Sequence, residues 1–467
     1  MKRSFHLAQR SKSTASSRLG RGRAFVLVLT TLVSSAYAQD LRQIYEAAKA
    51  NDATIRASRA SVQGERERIS QAQAQRLPNI SLNAARNYND LTSHTRDVLG
   101  RPTTAQNTYY SSNQSLTVRQ PIYRPFLSAT LRQAQAQVAD AEANLEKDEQ
   151  SLAMKVGEAY FDALLAEDQL DLIRAQKTTY NAQLDASRKR LAAGYGVRTD
   201  IDEAQAQLDM TLARELEARQ NVDYTRRRLE VMTGGAISVL AKLDTLKFSP
   251  TPPAPDSLDA WTQRAEESSP ELQSLRAQLD AAGAEIEKAK SGHKPTLDAV
   301  AQWSRSNSDS VTSVNSRYDN KVVGLQLTVP LYGGGYVSST VRQAVAIQER
   351  AREMLEAVRR DLGVRVHREF RAVTEGVLKI RALEQAVVSA EQAVLSNQKS
   401  FAAGSRTMLD VLNAEQQKTL SQRDLAQARY LYLVARMRLQ ALAGEDREAT
   451  VNEASYWLAQ QATDKPQ

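Results

Sequence analysis

Two long proline-free stretches of the chain carry a hydrophobic pattern typical of helices. They cover residues 126–249 and 331–465. In the first stretch, apolar side chains recur every seven residues, at Leu131, Val138, Leu145, Leu152 and Ala159. Proline inside a helix costs about 3 kcal/mol, and an apolar repeat of this period is typical of a coiled-coil seam. The pattern therefore predicts two long amphipathic helices that pack against other helices.

The hydrophobic pattern of the first half returns in the second half. Aligning the chain with itself superposes Leu41 on Leu258, Pro78 on Pro295, Pro121 on Pro330 and Gly194 on Gly404. Self-similarity of this kind indicates a tandem duplication. We expect a first repeat at 39–248, a proline-rich linker at 249–257, a second repeat at 258–460 and a C-terminal tail at 461–467.

Each repeat is predicted to contain three helices. Their bounds are 41–76, 127–192 and 199–233 in the first repeat, and 258–293, 337–402 and 407–442 in the second. At 1.5 Å per residue the middle helix is about 99 Å long, and its two shorter neighbours placed end to end match it. The expected arrangement is an antiparallel helical arm of about 100 Å, one side of which is interrupted halfway.

Four segments between the helices change from a helical period to strict alternation. Ile80 and Leu82 alternate with Ser81 and Asn83, and similar patterns occur near 116–118, 297–303 and 323–329. Runs of about 10 to 14 residues are long enough for tilted strands to cross a bilayer. The polar connections at 92–107 and 307–316 are expected to form loops outside the membrane.

Four strands are too few to close a membrane barrel by themselves. The smallest barrels have about eight strands, and an open sheet edge in lipid is prohibitive. The pattern therefore predicts a barrel assembled from several protomers and continued by a helical tube. An ordinary hairpin that covers a soluble core is the alternative for these strands.

The formal charge of +8 would suggest an anionic partner, but the excess lies at the N-terminus. The first 38 residues hold seven basic residues and no acid, which leaves 55 basic against 54 acidic residues in the rest. A near-neutral remainder is poor evidence for nucleic-acid binding, so no nucleic-acid partner is expected. The chain has 0 cysteines, which excludes disulfides, thiol catalysis and cysteine-ligated zinc.

Residues 1–38 are predicted to be a cleaved export signal. A basic start is followed by the apolar run 24–33 and by Ala36-Tyr37-Ala38, a small-x-small cleavage pattern. The mature chain is then expected to begin near Gln39. A transmembrane anchor is the alternative, but this apolar run is too short to span about 30 Å of hydrocarbon.

Four short motifs lie at predicted strand and helix ends. They are Gln120-Pro121-Ile122-Tyr123, Pro330-Leu331-Tyr332-Gly333-Gly334-Gly335, Arg190-Leu191-Ala-Ala-Gly194 and Gly404-Ser405-Arg406-Thr407-Met-Leu-Asp410. In this order and duplication, the chain resembles the TolC-type outer-membrane channels of efflux pumps and type I secretion systems. The resemblance implies an α+β membrane protein and a homotrimer. Each protomer then gives four transmembrane β-strands to a twelve-stranded barrel, which a twelve-helix coiled-coil tunnel continues into the periplasm.

The resemblance also implies a cellular setting. It places the protein in the outer membrane of a Gram-negative bacterium, in contact with outer-membrane lipid. It implies docking to a periplasmic adaptor and an inner-membrane transporter of ABC, RND or MFS type, with no cofactor, no metal and no catalysis. The cargo stays open between drugs and a secreted protein. A periplasmic coiled-coil adaptor or tether without a channel is the alternative function.

One group of residues is assigned to tunnel closure by the resemblance. The group contains Thr199, Asp200, Phe401 and Arg406. We expect a charge-assisted hydrogen bond from Arg406 to Asp200. Phe401 stands where the family usually has a tyrosine, so a looser resting state is expected.

A second group is assigned to the pore constriction. Asp410 corresponds to an acid that faces the tunnel axis, and Asn413 replaces a second acid one turn on. Threefold symmetry would bring three Asp410 carboxylates together, where they attract cations and repel anions. The spacing of Thr407 and Asp410 is also that of a capping box, so a simple helix cap is the alternative.

The two repeat-equivalent turns are expected to dock the adaptor at the far tips of the arms. The residues concerned are Arg190, Leu191, Gly194, Val197, Gly404, Ser405 and Thr407. Glycine in such a turn accommodates positive φ. A plain capping turn without a docking role is the alternative.

Two tyrosines lie at repeat-equivalent strand ends. They are Tyr123 and Tyr332. Aromatic residues are enriched where a barrel meets the membrane interface, so both are expected in an interfacial belt. Packing beneath the barrel is the alternative.

Overall fold

The structure is a computed structural model, and it describes residues 39–310 and 313–458. The export signal predicted at 1–38 and the tail predicted at 461–467 lie outside the described residues. The described chain consists of long helices joined at one end to a sheet of antiparallel strands.

The helices come in two sets of similar order. The first set is α1 (Leu41–Asn51), α2 (Ala53–Ala74), α3 (Pro125–Ala192) and α4 (Arg198–Thr233). The second set is α5 (Leu258–Ser268), α6 (Pro270–Lys290), α7 (Tyr336–Ala402) and α8 (Met408–Leu442), followed by α9 (Arg447–Tyr456). The 68 residues of α3 give a length of about 102 Å. None of the helices in the described part of the chain is long and apolar enough to cross a membrane.

The first predicted helix of each repeat is divided in two, so the prediction of continuous helices at 41–76 and 258–293 is wrong. Asp52 ends α1 and caps α2, because its side chain accepts a hydrogen bond of 2.9 Å from the Ile55 amide. Ser269 ends α5 and precedes Pro270, the first residue of α6. A side-chain cap and a following proline each favour extended backbone at the preceding residue. The breaks fall at equivalent points of the two repeats.

In the described part of the chain, four strands form one antiparallel sheet in chain order. They are β1 (Asn79–Arg96), β2 (Pro102–Tyr123), β3 (Thr296–Ser310) and β4 (Ser313–Thr328). The strands extend through most of the segments predicted as outer loops at 92–107 and 307–316. The β1–β2 connection is a short turn in which Asp97 Oδ1 accepts hydrogen bonds from the amides of Leu99 and Arg101. Backbone pairing thus continues where the side-chain pattern has become polar on both faces.

The strand register separates an apolar face from a polar face. Near the helices, one row across the sheet is formed by Ile80, Val118, Ala301 and Val323. The residues between them in sequence, such as Ser81 and Thr117, pair on the opposite face. The two outer side chains of this row are exposed in the single protomer, with Ile80 at 67% and Val323 at 86%, whereas Val118 and Ala301 are half-buried. This is the surface expected of strands that face lipid.

The main hydrophobic core lies about halfway along the helices. Here α1, α9 and the segment 237–248 pack against the middle of α3 and α7 and the C-terminal half of α8. Gln39 pairs with Leu240, and Leu243 with Leu458, in isolated β-bridges. The buried Tyr160 hydroxyl lies 3.1 Å from the Gln39 carbonyl oxygen and 2.9 Å from that of Ala241. The Tyr160 hydroxyl therefore links Gln39, just before α1, to Ala241 in the segment that follows α4.

The proline-rich linker is packed onto the second repeat. The Thr251 amide donates a hydrogen bond of 3.0 Å to the Tyr432 hydroxyl, which donates one of 2.7 Å to the Thr251 carbonyl oxygen. Phe248 contacts the rings of Tyr432 and Trp457 edge-on. The linker therefore belongs to the central core. The repeat boundaries themselves stay predictions.

We predict that Tyr160→Phe lowers the unfolding midpoint in urea, measured by circular dichroism. The substitution leaves two carbonyl oxygens without their shared buried donor, a loss of about 1–2 kcal/mol. Tyr224→Phe is the matched control, since this side chain is 68% exposed on α4. Equal midpoints for the two variants would show that the hydroxyl does not tie these segments together.

Candidate functional site

Both helical arms end in the same kind of turn. Gly194 follows α3 with φ of 85°, and Gly404 follows α7 with φ of 77°. The Tyr195 amide donates to the Arg190 carbonyl oxygen at 3.2 Å, and the Ser405 amide to that of Ser400 at 2.9 Å. These are Schellman caps, in which a left-handed residue lets the chain close over the last helical turn. The positive φ expected at both glycines is observed.

The first turn contains a second glycine that the sequence analysis did not single out. A Cβ atom on Gly196 would lie 2.6 Å from the Leu191 nitrogen and 2.9 Å from the Arg190 carbonyl carbon. At Gly194 the same atom would meet nothing within 4 Å. Backbone conformation therefore requires glycine at Gly194, whereas close packing requires it at Gly196.

The two tips differ in their exposed side chains. The first tip presents Leu191, Tyr195 and Val197, of which Tyr195 is 75% exposed and Val197 56% exposed. The second tip presents small residues, Ser405 and Thr407 among them, together with the exposed side chain of Arg406. Tyr195 was missed in the sequence analysis because a lone aromatic residue between two glycines carries no periodic signal.

A small hydrophobic cluster holds the two arms together close to these tips. Its members are Tyr180, Leu184, Ala204, Leu208, Met408, Val411 and Leu412, with Ile201 and Phe401 packed against it. The Tyr180 hydroxyl accepts a hydrogen bond of 2.9 Å from Gln176 Nε2, and burial raises the pKa of that hydroxyl. Because the cluster draws on α3, α4 and α8, it links the two tips of one protomer.

The residues predicted to close the tunnel surround this cluster. The Arg190 guanidinium lies over the Phe401 ring at 4.6 Å, a cation–π contact between the two arms. Arg406 forms an ion pair of 3.5 Å with Asp410. Thr199 and Asp200 lie in the first turn of α4. The expected bond from Arg406 to Asp200 is not among the ion pairs that the described protomer forms.

Asp410 closes a capping box at the start of α8. Its Oδ2 accepts hydrogen bonds of 2.9 Å from both the amide and the hydroxyl of Thr407, and its own amide donates to the Thr407 hydroxyl at 3.2 Å. These hydrogen bonds, with a smaller contribution from Arg406, hold the pKa of Asp410 below its usual value. The carboxylate therefore stays ionised at neutral pH. Asn413, one turn on, is exposed.

The role of Asp410 as a helix cap is compatible with the negative charge predicted at the constriction. One carboxylate oxygen of Asp410 caps the helix while the other faces Arg406. The side chain remains 34% exposed in the single protomer. The same group can therefore fix the start of α8 and carry an accessible negative charge.

The two predicted interface tyrosines lie in different settings. Tyr123 is the last residue of β2 and is 50% exposed, whereas Tyr332 follows β4 outside the sheet and is 91% exposed. At the far end of the sheet, Tyr88 and Tyr110 form a cross-strand pair with ring centroids 5.3 Å apart. This second aromatic pair was missed because it lies between the alternating runs near 80–85 and 115–119 and the loop predicted at 92–107, where no pattern was identified.

Within residues 39–310 and 313–458, no group of three or more histidine, aspartate or glutamate side chains is placed to hold a metal ion. The arrangement offers instead a sheet with an exposed apolar face and two capped helical tips. The tips lie about 100 Å from the sheet. These features define a membrane channel subunit with a long helical extension.

Comparison with known proteins identifies the family. The family model described as outer membrane efflux protein matches residues 9–235 and 261–445. The chain is 33% identical over 440 residues to the proteases secretion protein PrtF of Dickeya chrysanthemi, covering 92% of this chain and 94% of the relative. It is 34% identical over 430 residues to the alkaline protease secretion protein AprF of Pseudomonas aeruginosa, covering 91% and 88%. The protein belongs to the outer membrane efflux protein family.

Further relatives and solved structures agree with this assignment. The outer membrane protein TolC of Escherichia coli is 31% identical over 452 residues, covering 94% of this chain and 88% of the relative. The fold matches solved structures of CusC, with a TM-score of 0.76, 16% identity and coverage of 88% and 93%. It also matches VceC of Vibrio cholerae, with a TM-score of 0.74, 18% identity and coverage of 87% and 96%. The predicted TolC-type family and fold class are confirmed.

We predict that Gly196→Ala loosens the first tip. The added methyl group must displace backbone atoms of Leu191 and Arg190, at a cost of about 1.4 kcal/mol, so amide hydrogen exchange at 188–198 should be about tenfold faster. Gly235→Ala is the control, because its Cβ would meet nothing within 4 Å. Hydrogen–deuterium exchange with mass spectrometry measures both, and unchanged exchange in Gly196→Ala would contradict the close packing.

Proposed function

We propose that this protein is the outer-membrane exit duct of a tripartite efflux or type I secretion system. The observation that carries the proposal is the combination, in one protomer, of a sheet with an exposed apolar face and helical arms of about 100 Å. The sheet crosses the outer membrane, and the arms extend the pathway into the periplasm. The N-terminal segment directs export and is removed.

The duct is a homotrimer. Within the described residues, β1 pairs only with β2, and β4 pairs only with β3. Three protomers supply twelve strands, which exceeds the minimum of about eight for a closed barrel. Pairing of β4 with β1 of a neighbouring protomer then satisfies every open edge.

The tips dock a periplasmic adaptor that leads to an inner-membrane transporter. The first tip supports this role with exposed apolar side chains at Leu191, Tyr195 and Val197. Exposed aromatic and aliphatic groups on a rigid turn are suitable anchors for a partner protein. The second tip, at Gly404, Ser405 and Thr407, provides the smaller polar surface beside it.

The cargo is a secreted protein. Two relatives at 33% and 34% identity are named as protease secretion proteins. They cover more than nine-tenths of this chain. This favours type I secretion over drug efflux as the main role of the duct.

The tips also form the constriction of the resting tunnel. Three Asp410 carboxylates surround the axis, and Asn413 leaves a single acidic ring. Phe401 lacks the hydroxyl that a tyrosine would have at this position. The cation–π contact of its ring with Arg190 links the two arms instead. Arg406 and Asp200 remain available for a link between protomers.

We predict that the purified trimer conducts ions in planar bilayers with cation preference, and that Asp410→Asn lowers the cation-to-anion permeability ratio several-fold. The ring of carboxylates concentrates cations in a poorly screened constriction. Reversal potentials under a salt gradient measure the ratio. Because the depressed pKa keeps Asp410 charged, the wild-type ratio should hold until the pH falls below the usual aspartate range.

Two control variants separate charge from helix capping in this experiment. Thr407→Val removes the capping hydroxyl and keeps the carboxylate, so cation preference should persist. Asp424→Asn removes a carboxylate that pairs with Arg423 farther along α8, and should leave the ratio unchanged. Cation preference that survives Asp410→Asn would reduce Asp410 to a helix cap, whereas a wild-type protein without conductance would contradict the duct.

A further inference from the structure

The apolar face of the sheet changes into a basic one toward the end far from the helices. Above the apolar row of Ile80, the next row contains Leu82, Leu116, Trp303 and Lys321, and the one after it Ala84, Gln114, Arg305 and Asp319. The following row contains Arg86, Ser112, Asn307 and Arg317. Because side chains on one face recur every second residue, all of these rows lie on the same face as Ile80.

The height of the basic row matches the edge of a hydrocarbon layer. Leu297 marks the lower end of the apolar face, and Asn307 lies ten residues farther along β3. Ten residues of strand tilted by about 40° rise about 25 Å, the height of the apolar band on barrel proteins. Arg86 and Arg317 therefore lie where the lipid headgroups begin, and the Tyr88–Tyr110 pair lies just above them.

The positive charge in this region is only partly neutralised by the protein. Arg305 pairs with Asp319 at 3.1 Å, and Arg317 lies 4.0 Å from the same carboxylate. Arg86 and Lys321 are exposed, and the Arg86 guanidinium lies 5.2 Å from the centre of the Tyr110 ring. These rows therefore contain four cationic side chains, on Arg86, Arg305, Arg317 and Lys321, and one carboxylate, on Asp319.

A shallow groove connects the two arginines of the basic row. It has a volume of about 670 Å³ and is lined by Arg86, Tyr110, Gln114, Asn307 and Arg317 among others. The lining combines cationic groups, amides and one aromatic ring. This is the chemistry that binds a phosphate attached to a sugar.

We propose that this groove binds the phosphate groups of a phosphorylated glycolipid in the outer leaflet. The inference rests on the proposed function, since it requires the apolar face of the sheet to lie in the membrane. The acyl chains of the lipid then cover the apolar side chains of the lower rows, beneath the row of Arg305 and Asp319, while Arg86 and Arg317 hold the phosphorylated sugars. A free anion would use the arginines but gain nothing from the apolar rows, which is why the lipid is the occupant.

Native mass spectrometry of the detergent-purified full chain tests the proposal. The probes are a diphosphorylated glucosamine-disaccharide lipid and the same lipid after enzymatic dephosphorylation. The wild type should bind the phosphorylated lipid about 10- to 30-fold more tightly than Arg86→Gln/Arg317→Gln does, because two surface cations are lost. The dephosphorylated lipid should bind weakly to both proteins.

A matched control is Arg119→Gln/Arg350→Gln. It removes the same charge from the opposite face of β2 and from α7, and should bind like the wild type. Equal affinity of the wild type for the two lipids, or wild-type affinity in Arg86→Gln/Arg317→Gln, would overturn the proposal. Displacement of the lipid by millimolar inorganic phosphate would also overturn it, because the groove would then be a general anion site.

Two further measurements keep the outcome decisive. If Arg86→Gln/Arg317→Gln fails to assemble, the difference in wild-type affinity between the two lipids still tests the proposed site. The variant Arg86→Lys/Arg317→Lys keeps both charges and should retain part of the wild-type affinity. Conductance in planar bilayers should be the same for the glutamine variant and the wild type. If the wild type does not conduct ions, the proposed duct function is wrong. If the wild type binds both lipids equally, only the proposed glycolipid site is wrong.

Discussion

The two unpaired edges of the sheet are the constraint on which the rest of the structure depends. The outer edges of β1 and β4 present backbone amides and carbonyls that have no strand partner among the described residues. In hydrocarbon each unsatisfied group costs several kcal/mol, so an isolated protomer cannot reside in a membrane. The proposed association edge to edge would satisfy the backbone and set the helical arms side by side. Leu216 on α4 and Leu378 on α7 are apolar side chains that remain exposed in the single protomer.

The helical arms pack around a large hydrophobic core at their middle and around a much smaller one near their tips. Around Tyr160 and Tyr432, side-chain hydroxyls join the segment before α1, the linker and α8 within one large core. Near the tips, a much smaller cluster, one cation–π contact and one ion pair hold the arms together. Few buried contacts imply a low cost of local rearrangement. The end that carries the proposed constriction is therefore the end with fewer buried contacts.

The sequence predicted the long helices well because their apolar side chains follow a regular period, as Leu131, Val138 and Leu145 do. It overlooked the helix breaks at Asp52 and Ser269, where a side-chain cap or a following proline outweighs the continuing pattern. It underestimated the strands because their outer parts are polar on both faces. Gly196 and the contact of Arg190 with Phe401 depend on three-dimensional proximity, which spacing along the chain does not reveal.

The central claim is that β4 pairs with β1 of a neighbouring protomer, and disulfide trapping tests it most directly. The natural chain has 0 cysteines, so Asn83→Cys on β1 can be combined in turn with Asn320→Cys, Val322→Cys, Gly324→Cys or Gln326→Cys on β4. Only residues with Cα atoms within about 7 Å can form the bond. The account predicts that oxidation of membranes yields covalent dimers and trimers for one or two neighbouring positions. Monomers at every position would contradict a barrel shared between protomers.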